Sequence, residues 1–172
     1  MAGRGRSRGL VLAALLGLLV LPLPVAAQEA EAPPEAPFDG LWGLNEKASR
    51  DVPESAKGVD LKIAIKGNQF IMQRLVMGKP VGDAFALMLD GKTREMELGG
   101  GKRAMVDGRW AKEHWVIEQN VRMLTSTGPG LPPVQRTVNT VSPDGQTLTR
   151  VQTTHHFGRS EERVLVYRRK PS

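Results

Sequence analysis

The stretch Leu61-Lys62-Ile63-Ala64-Ile65-Lys66-Gly67-Asn68-Gln69-Phe70-Ile71-Met72-Gln73-Arg74-Leu75-Val76-Met77 decides the fold class. Leu61, Ile63 and Ile65 recur at period two while Lys62 and Lys66 fall on the other side. That is the spacing of a strand with one buried face, because successive strand side chains point in opposite directions. Gly67-Asn68 then turns the chain, and Gln69 to Met77 is placed to pair with the first run as a hairpin. Gly78-Lys79-Pro80 ends the second run, since proline has no N–H to give a ladder.

The same punctuation extends in both directions. Asp90-Gly91 separates Ala84 to Leu89 from Thr93 to Leu98, Gly99-Gly100-Gly101 precedes Lys102 to Arg109, and Ala111-Lys112-Glu113 leads into His114 to Leu124. Val134 to Val141 and Thr147 to Phe157 flank Ser142-Pro143-Asp144-Gly145-Gln146, where proline presets a turn and glycine tolerates positive φ. With Asp39 to Asn45 in front and Arg163 to Lys170 at the end, about ten strands are expected and no long helix. This predicts an all-β chain: an antiparallel up-and-down β-barrel of about eight to ten strands, with a β-sandwich as the alternative. A barrel pairs its last strand with its first and so leaves no open edge. Two connections, Glu46 to Val59 and Thr125 to Pro133, are too long for tight turns and are the expected sites of a binding mouth.

Residues 1–27 carry the marks of a secretory signal: Arg4, Arg6 and Arg8, an apolar run from Leu10 to Leu21, and Val25-Ala26-Ala27 before a cleavage point. The run is too short for a membrane span, which needs about twenty residues. Residues 28–37 are small, acidic and proline-rich, the composition of a flexible leader, so the domain is expected over residues 38–172. An exported protein, periplasmic or secreted, follows. The formal charge of +6 includes the three signal arginines, and no acidic residue precedes Gln28, so about +3 remains. That balance excludes the electrostatic footprint of a nucleic-acid binder. With no cysteine there are no disulfides, thiol nucleophiles or lipidated cysteine; with no Asn-x-Ser/Thr sequon either, a bacterial periplasm suits the chain better than eukaryotic secretion.

Phe38-Asp39-Gly40-Leu41-Trp42-Gly43-Leu44-Asn45 resembles the Gly-x-Trp opening strand of lipocalin-like proteins, the calycin group that includes fatty-acid-binding proteins. Arg109-Trp110 before Val116-Ile117-Glu118, Ser142-Pro143-Asp144-Gly145 before Thr147-Leu148-Thr149, and an arginine-rich last strand are similar to small exported bacterial members of that group. The resemblance implies a barrel closed structurally by Gly40, Trp42 and a terminal-strand arginine, Arg163 or else Arg168. The fatty-acid-binding branch has a helical pair after its first strand. Here Glu46 to Val59, with Pro53 and Gly58, leaves room for little more than one turn, and the Thr-Asp-Tyr motif of typical lipocalins is missing.

Enzymatic and metal motifs are weak. Gly91-Lys92-Thr93 lacks the glycine a phosphate loop needs five residues earlier, where Ala86 stands. His155 and His156 are adjacent on a strand and face opposite sides, so with His114 they do not form a three-histidine zinc site. Ser160 near them is not in a nucleophile elbow. Glu95 and Glu97 read as the solvated side of a strand whose other face holds Met96 and Leu98. No catalytic residue, metal or cofactor is expected. Methionines and aromatics in the strands are better suited to walls that adapt to a ligand. The expected cavity lining is Phe70, Met72, Phe85, Leu87, Met88, Met96, Trp115 and Ile117, around a small apolar molecule. The alternative is a packed barrel that acts as an envelope protein through surface contacts with a protein partner.

Overall fold

The computed structural model describes residues 37–98, 100–112, 115–124, 134–156 and 158–171, all within the unit Pro33–Ser172. The expected signal segment, the expected leader apart from Pro37, His114 and the Thr125 to Pro133 connection lie outside the described residues. The central hairpin forms as its alternation requires. β2 (Val59–Lys66) pairs with β3 (Gln69–Val76) from Val59↔Val76 to Lys66↔Gln69, around a turn in which Gly67 takes a φ of 57°. Leu61, Ile63 and Phe70 are buried, whereas Lys62 and Lys66 are exposed.

The other strands are β1 (Gly40–Leu44), β4 (Lys79–Pro80), β5 (Phe85–Met88), β6 (Arg94–Glu97), β7 (Arg103–Ala111), β8 (Val116–Met123), β9 (Val134–Val141), β10 (Thr147–His156) and β11 (Arg159–Arg169). They form one antiparallel sheet in the order β4-β3-β2-β1-β11-β10-β9-β8-β7-β6, with β5 also on β3. The first strand therefore pairs with the last, Trp42 standing opposite Arg169. The remaining seam is bridged by the segment after β5. Leu89 N–H donates to Asn68 O (2.8 Å) on one side, and Gly91 N–H donates to Gly108 O (2.8 Å) on the other, next to an Asp90↔Arg109 bridge. Gly108 makes this approach possible, because a Cβ there would overlap the side chain of Leu87.

Three local features differ from the sequence reading. Lys79 and Pro80 do pair, with Val76 and Leu75, because a short edge strand can hold a proline whose missing N–H is not needed. The Glu46 to Val59 connection holds two single 3₁₀ turns, Glu46–Ala48, capped by the Asn45 side chain (3.3 Å), and Glu54–Ala56 after Pro53. β11 starts at Arg159 rather than Arg163. Its first residues pair with β10 to His156↔Arg159, in an exposed hairpin that buries no face and so carries no hydrophobic alternation.

The core fills one end of the barrel. Phe38, Trp42, Ile63, Phe70, Leu87, Val106, Ile117 and Leu148 are buried there, and Trp110 packs its ring 5.9 Å from Phe38. Moving along each strand toward the other end, the inward residues change character: Ile117 is followed by Gln119, Val141 by Asn139 and Thr137, Leu148 by Arg150, and Phe70 by Met72 and Arg74. That change marks where packing gives way to a cavity.

Candidate functional site: an interior cavity with a buried arginine

The cavity measures about 380 Å³. Its apolar wall comes from β2, β3, β5 and β11, through Val59, Leu61, Met72, Phe85 and Leu165, and its polar wall from β8, β9 and β10, through Gln119, Gln135, Thr137, Arg150 and Gln152. Pro53, Ser55 and Ala56, around the second 3₁₀ turn, line it at the β1–β2 connection. Arg74 holds that connection by donating from Nη2 to Ser55 O.

Arg150 dominates the site. It is 7% exposed, reaches from β10 to β3 so that Nη1 lies 3.1 Å from Met72 Sδ, and leaves Nε with no partner. Burial pushes its pKa below an arginine's ordinary value; the hydrogen-bonded Tyr167 hydroxyl opposes that shift, and nearby Arg74 adds to it. Burial raises the Tyr167 phenol, against the opposing pull of Arg150, so the hydroxyl keeps its proton. A thioether is a weak acceptor and a phenol a neutral one, while a guanidinium offers five donors in a fork suited to an oxyanion. The cavity also receives Arg74 and Arg163, and no aspartate or glutamate is among its described lining residues. Arg163 stands at the rim, with Glu161 at 3.9 Å.

The sequence-predicted positions divide as follows. Met72 and Phe85 line the cavity. Phe70, Leu87 and Ile117 are buried in the closed end, and Met96 packs against that core. Met88 is half-buried on the side of β5 opposite Leu87, since adjacent strand residues cannot share a face. Trp115 is 37% exposed at the turn before β8. The barrel-closing arginine is Arg169, not Arg163 or Arg168. Its Cζ lies 4.3 Å from the Trp42 ring centroid, and its donors reach Gly145 O (2.6 Å), Pro37 O (2.5 Å) and Asp39 O. Gly40 permits this, because a Cβ there would sit 2.6 Å from Arg169 Nη1. Trp42 Nε1 donates to Phe38 O (2.9 Å). His155 Nδ1 meets Ser160 Oγ at 2.8 Å across the exposed β10–β11 hairpin, remote in the sheet from the closed end. Among the described residues no three His, Cys, Asp or Glu side chains converge as metal ligands, and no helix is long and apolar enough to cross a membrane.

No family model matches the chain, and no curated protein matches it in sequence. Solved structures match in shape. Lipid binding protein 8 of Caenorhabditis elegans superposes with a TM-score of 0.58 over 78% of this chain and 96% of its own, at 9% identity. The fold is that of the fatty-acid-binding barrels. The fatty acid-binding protein of Drosophila melanogaster brain gives 0.52 at 14% identity, over 76% of this chain and 98% of its own. The zebrafish ileal bile acid-binding protein, in complex with cholic acid, gives 0.50 at 15% identity, over 78% and 99%. Arg150, Tyr167 and Gln119 are the site residues that the apolar pattern did not reveal. Their signal was a polar residue at the inward parity of a strand, two positions from Leu148, Leu165 and Ile117 respectively.

Proposed function

We propose that this protein is an exported carrier whose barrel holds a small amphipathic anion and performs no chemistry on it. The acid group lies at Arg150 and Tyr167, and the apolar body lies along Leu61, Met72 and Phe85. One observation carries the reading: a buried guanidinium that meets a thioether and a phenol, in a cavity with no carboxylate among its described lining residues. An isolated buried charge is costly, and a ligand carboxylate is the chemistry that would offset it. The reading is supported by the barrels of like fold, which are a lipid binding protein, a fatty acid-binding protein and a bile acid-binding protein holding cholic acid, a molecule that joins an acid group to an apolar body. The cavity volume lies in the range of small-molecule pockets, which counts against an interior filled by its own side chains.

Export rests on residues 1–27. Native mass spectrometry of protein recovered from its own cell envelope or medium tests both parts. The expected result is a polypeptide beginning at Gln28 that carries an added mass of a few hundred daltons, removed by organic solvent as an acid. A chain retaining Met1 would contradict export. A clean mass, together with no binding of added fatty or bile acids, would contradict the carrier.

A further inference from the structure

The cavity contains a second polar group that the protein leaves unsatisfied, and it lies on a different strand from the buried arginine. Gln119, on β8, is 3% exposed, lines the cavity, and its amide Nε2 has no hydrogen-bond partner. Its cross-strand neighbour on β9 is Thr137, also 3% exposed and also lining the cavity. Asn139, the next inward residue on β9, already donates to Ile117 O (3.3 Å). Buried amide donors are almost always paired, and a donor covered by hydrocarbon loses its hydration without compensation. A plain fatty chain lying along this wall would cover Nε2 in that way. An oxygen atom on the ligand body would satisfy it.

We propose that Gln119 is a specificity-determining residue that selects an oxygenated amphiphile, an acid bearing a hydroxyl or carbonyl oxygen on its apolar body, over the unsubstituted acid. β9 lies between β8 and β10, so Gln119 and Arg150 spring from strands about 10 Å apart across the sheet. The selected oxygen therefore lies along the body of the ligand, several bonds from the acid group. Two polar anchors on different strands also fix which way round the ligand lies, a discrimination that a hydrophobic pocket by itself achieves poorly. The acid end of this inference rests on the carrier reading above; the Gln119 preference is a separate claim and fails separately.

Calorimetric titration of the full protein with myristate, and with a set of monohydroxymyristates differing in hydroxyl position, tests it. One or more isomers is expected to bind about three- to tenfold more tightly than myristate, the worth of one neutral hydrogen bond. In Gln119→Leu that preference disappears while myristate affinity holds or rises, and Gln119→Met serves as the second variant should the leucine chain not fold. Equal affinity for all isomers, or a preference that survives in either variant, would overturn the Gln119 proposal and leave the carrier standing. Failure of the wild type to bind any member of the set, myristate included, would overturn both.

Discussion

Arg169 and Arg150 lie on neighbouring antiparallel strands of one barrel, yet their surroundings could hardly differ more. Arg169, at the closed end, has the Trp42 ring under its guanidinium and three backbone carbonyls around it. Its glycine neighbour Gly40 gives up a side chain to make room. Arg150, nearer the open end, is more deeply buried and has been given a sulfur, a phenol and one unanswered N–H. The first arginine is a finished structural joint. The second is incomplete, and on the carrier reading proposed above an anion would complete it. Polar groups that are fully satisfied hold the fold, and those left wanting in a cavity indicate what the cavity takes.

The comparison can be broken at each end. Arg169→Met should have the largest effect on folding, about 2–4 kcal/mol, because it strands three carbonyls and removes the contact with Trp42. Denaturant unfolding measures it; a loss below about 0.5 kcal/mol, the range of an ordinary surface change, would show that Arg169 is not a joint at all. Gly108→Val comes next, at about 1–3 kcal/mol, since its side chain must force Leu87 and Leu89 off β7 and open the seam. Amide exchange should then speed up first at Leu89 and Gly91, whose N–H groups bridge that seam. Uniform acceleration across the barrel would instead mean that the seam does not open separately.

The smallest expected effect concerns charge on the outer face. Arg109 hydrogen-bonds Glu118 at 2.6 Å and Arg136 does so at 3.1 Å, and these partners, Arg109 first, hold the Glu118 carboxyl below its ordinary pKa. A carboxyl depressed in the folded state stabilises it above the unfolded pKa, and that contribution is lost as pH falls through the folded value. Glu118→Gln should therefore lower stability at neutral pH by no more than about 1 kcal/mol, and the gap from wild type should close in acid. An equal gap at both ends of the titration would assign the effect to packing rather than to charge.

The hairpin over residues 61–76 was legible because Leu61, Ile63 and Phe70 are buried on one face while Lys62 and Lys66 are exposed, so the period of two is clear around the turn. Closure of the first strand on the last followed from the edge argument. The start of β11 was not legible, since Ser160, Glu161 and Glu162 pair with β10 without burying anything. That error has a direct consequence for the closing arginine. Arg163 and Arg169 share the inward parity of β11, and only the register with β1, which puts Trp42 opposite Arg169, separates them. Met72 and Phe85 were legible as cavity residues because they are apolar at inward positions. Arg150 and Gln119 were not, because polar residues in a strand are ordinarily assigned to the solvent side. Here the parity of Leu148 and Ile117 outweighs that habit, and the exceptions line the cavity.

The most direct test of the central claim is a paired calorimetric titration of wild type and Arg150→Met with myristate and with its methyl ester. Wild type should prefer the ionised acid over the ester, and Arg150→Met should lose about tenfold or more in myristate affinity while binding the ester unchanged. Unfolding of the same variant should require no less denaturant than wild type, since a poorly satisfied buried charge has been removed. Equal affinity of wild type for acid and ester, or undiminished myristate binding by Arg150→Met, would contradict the assignment of Arg150 as the anion anchor.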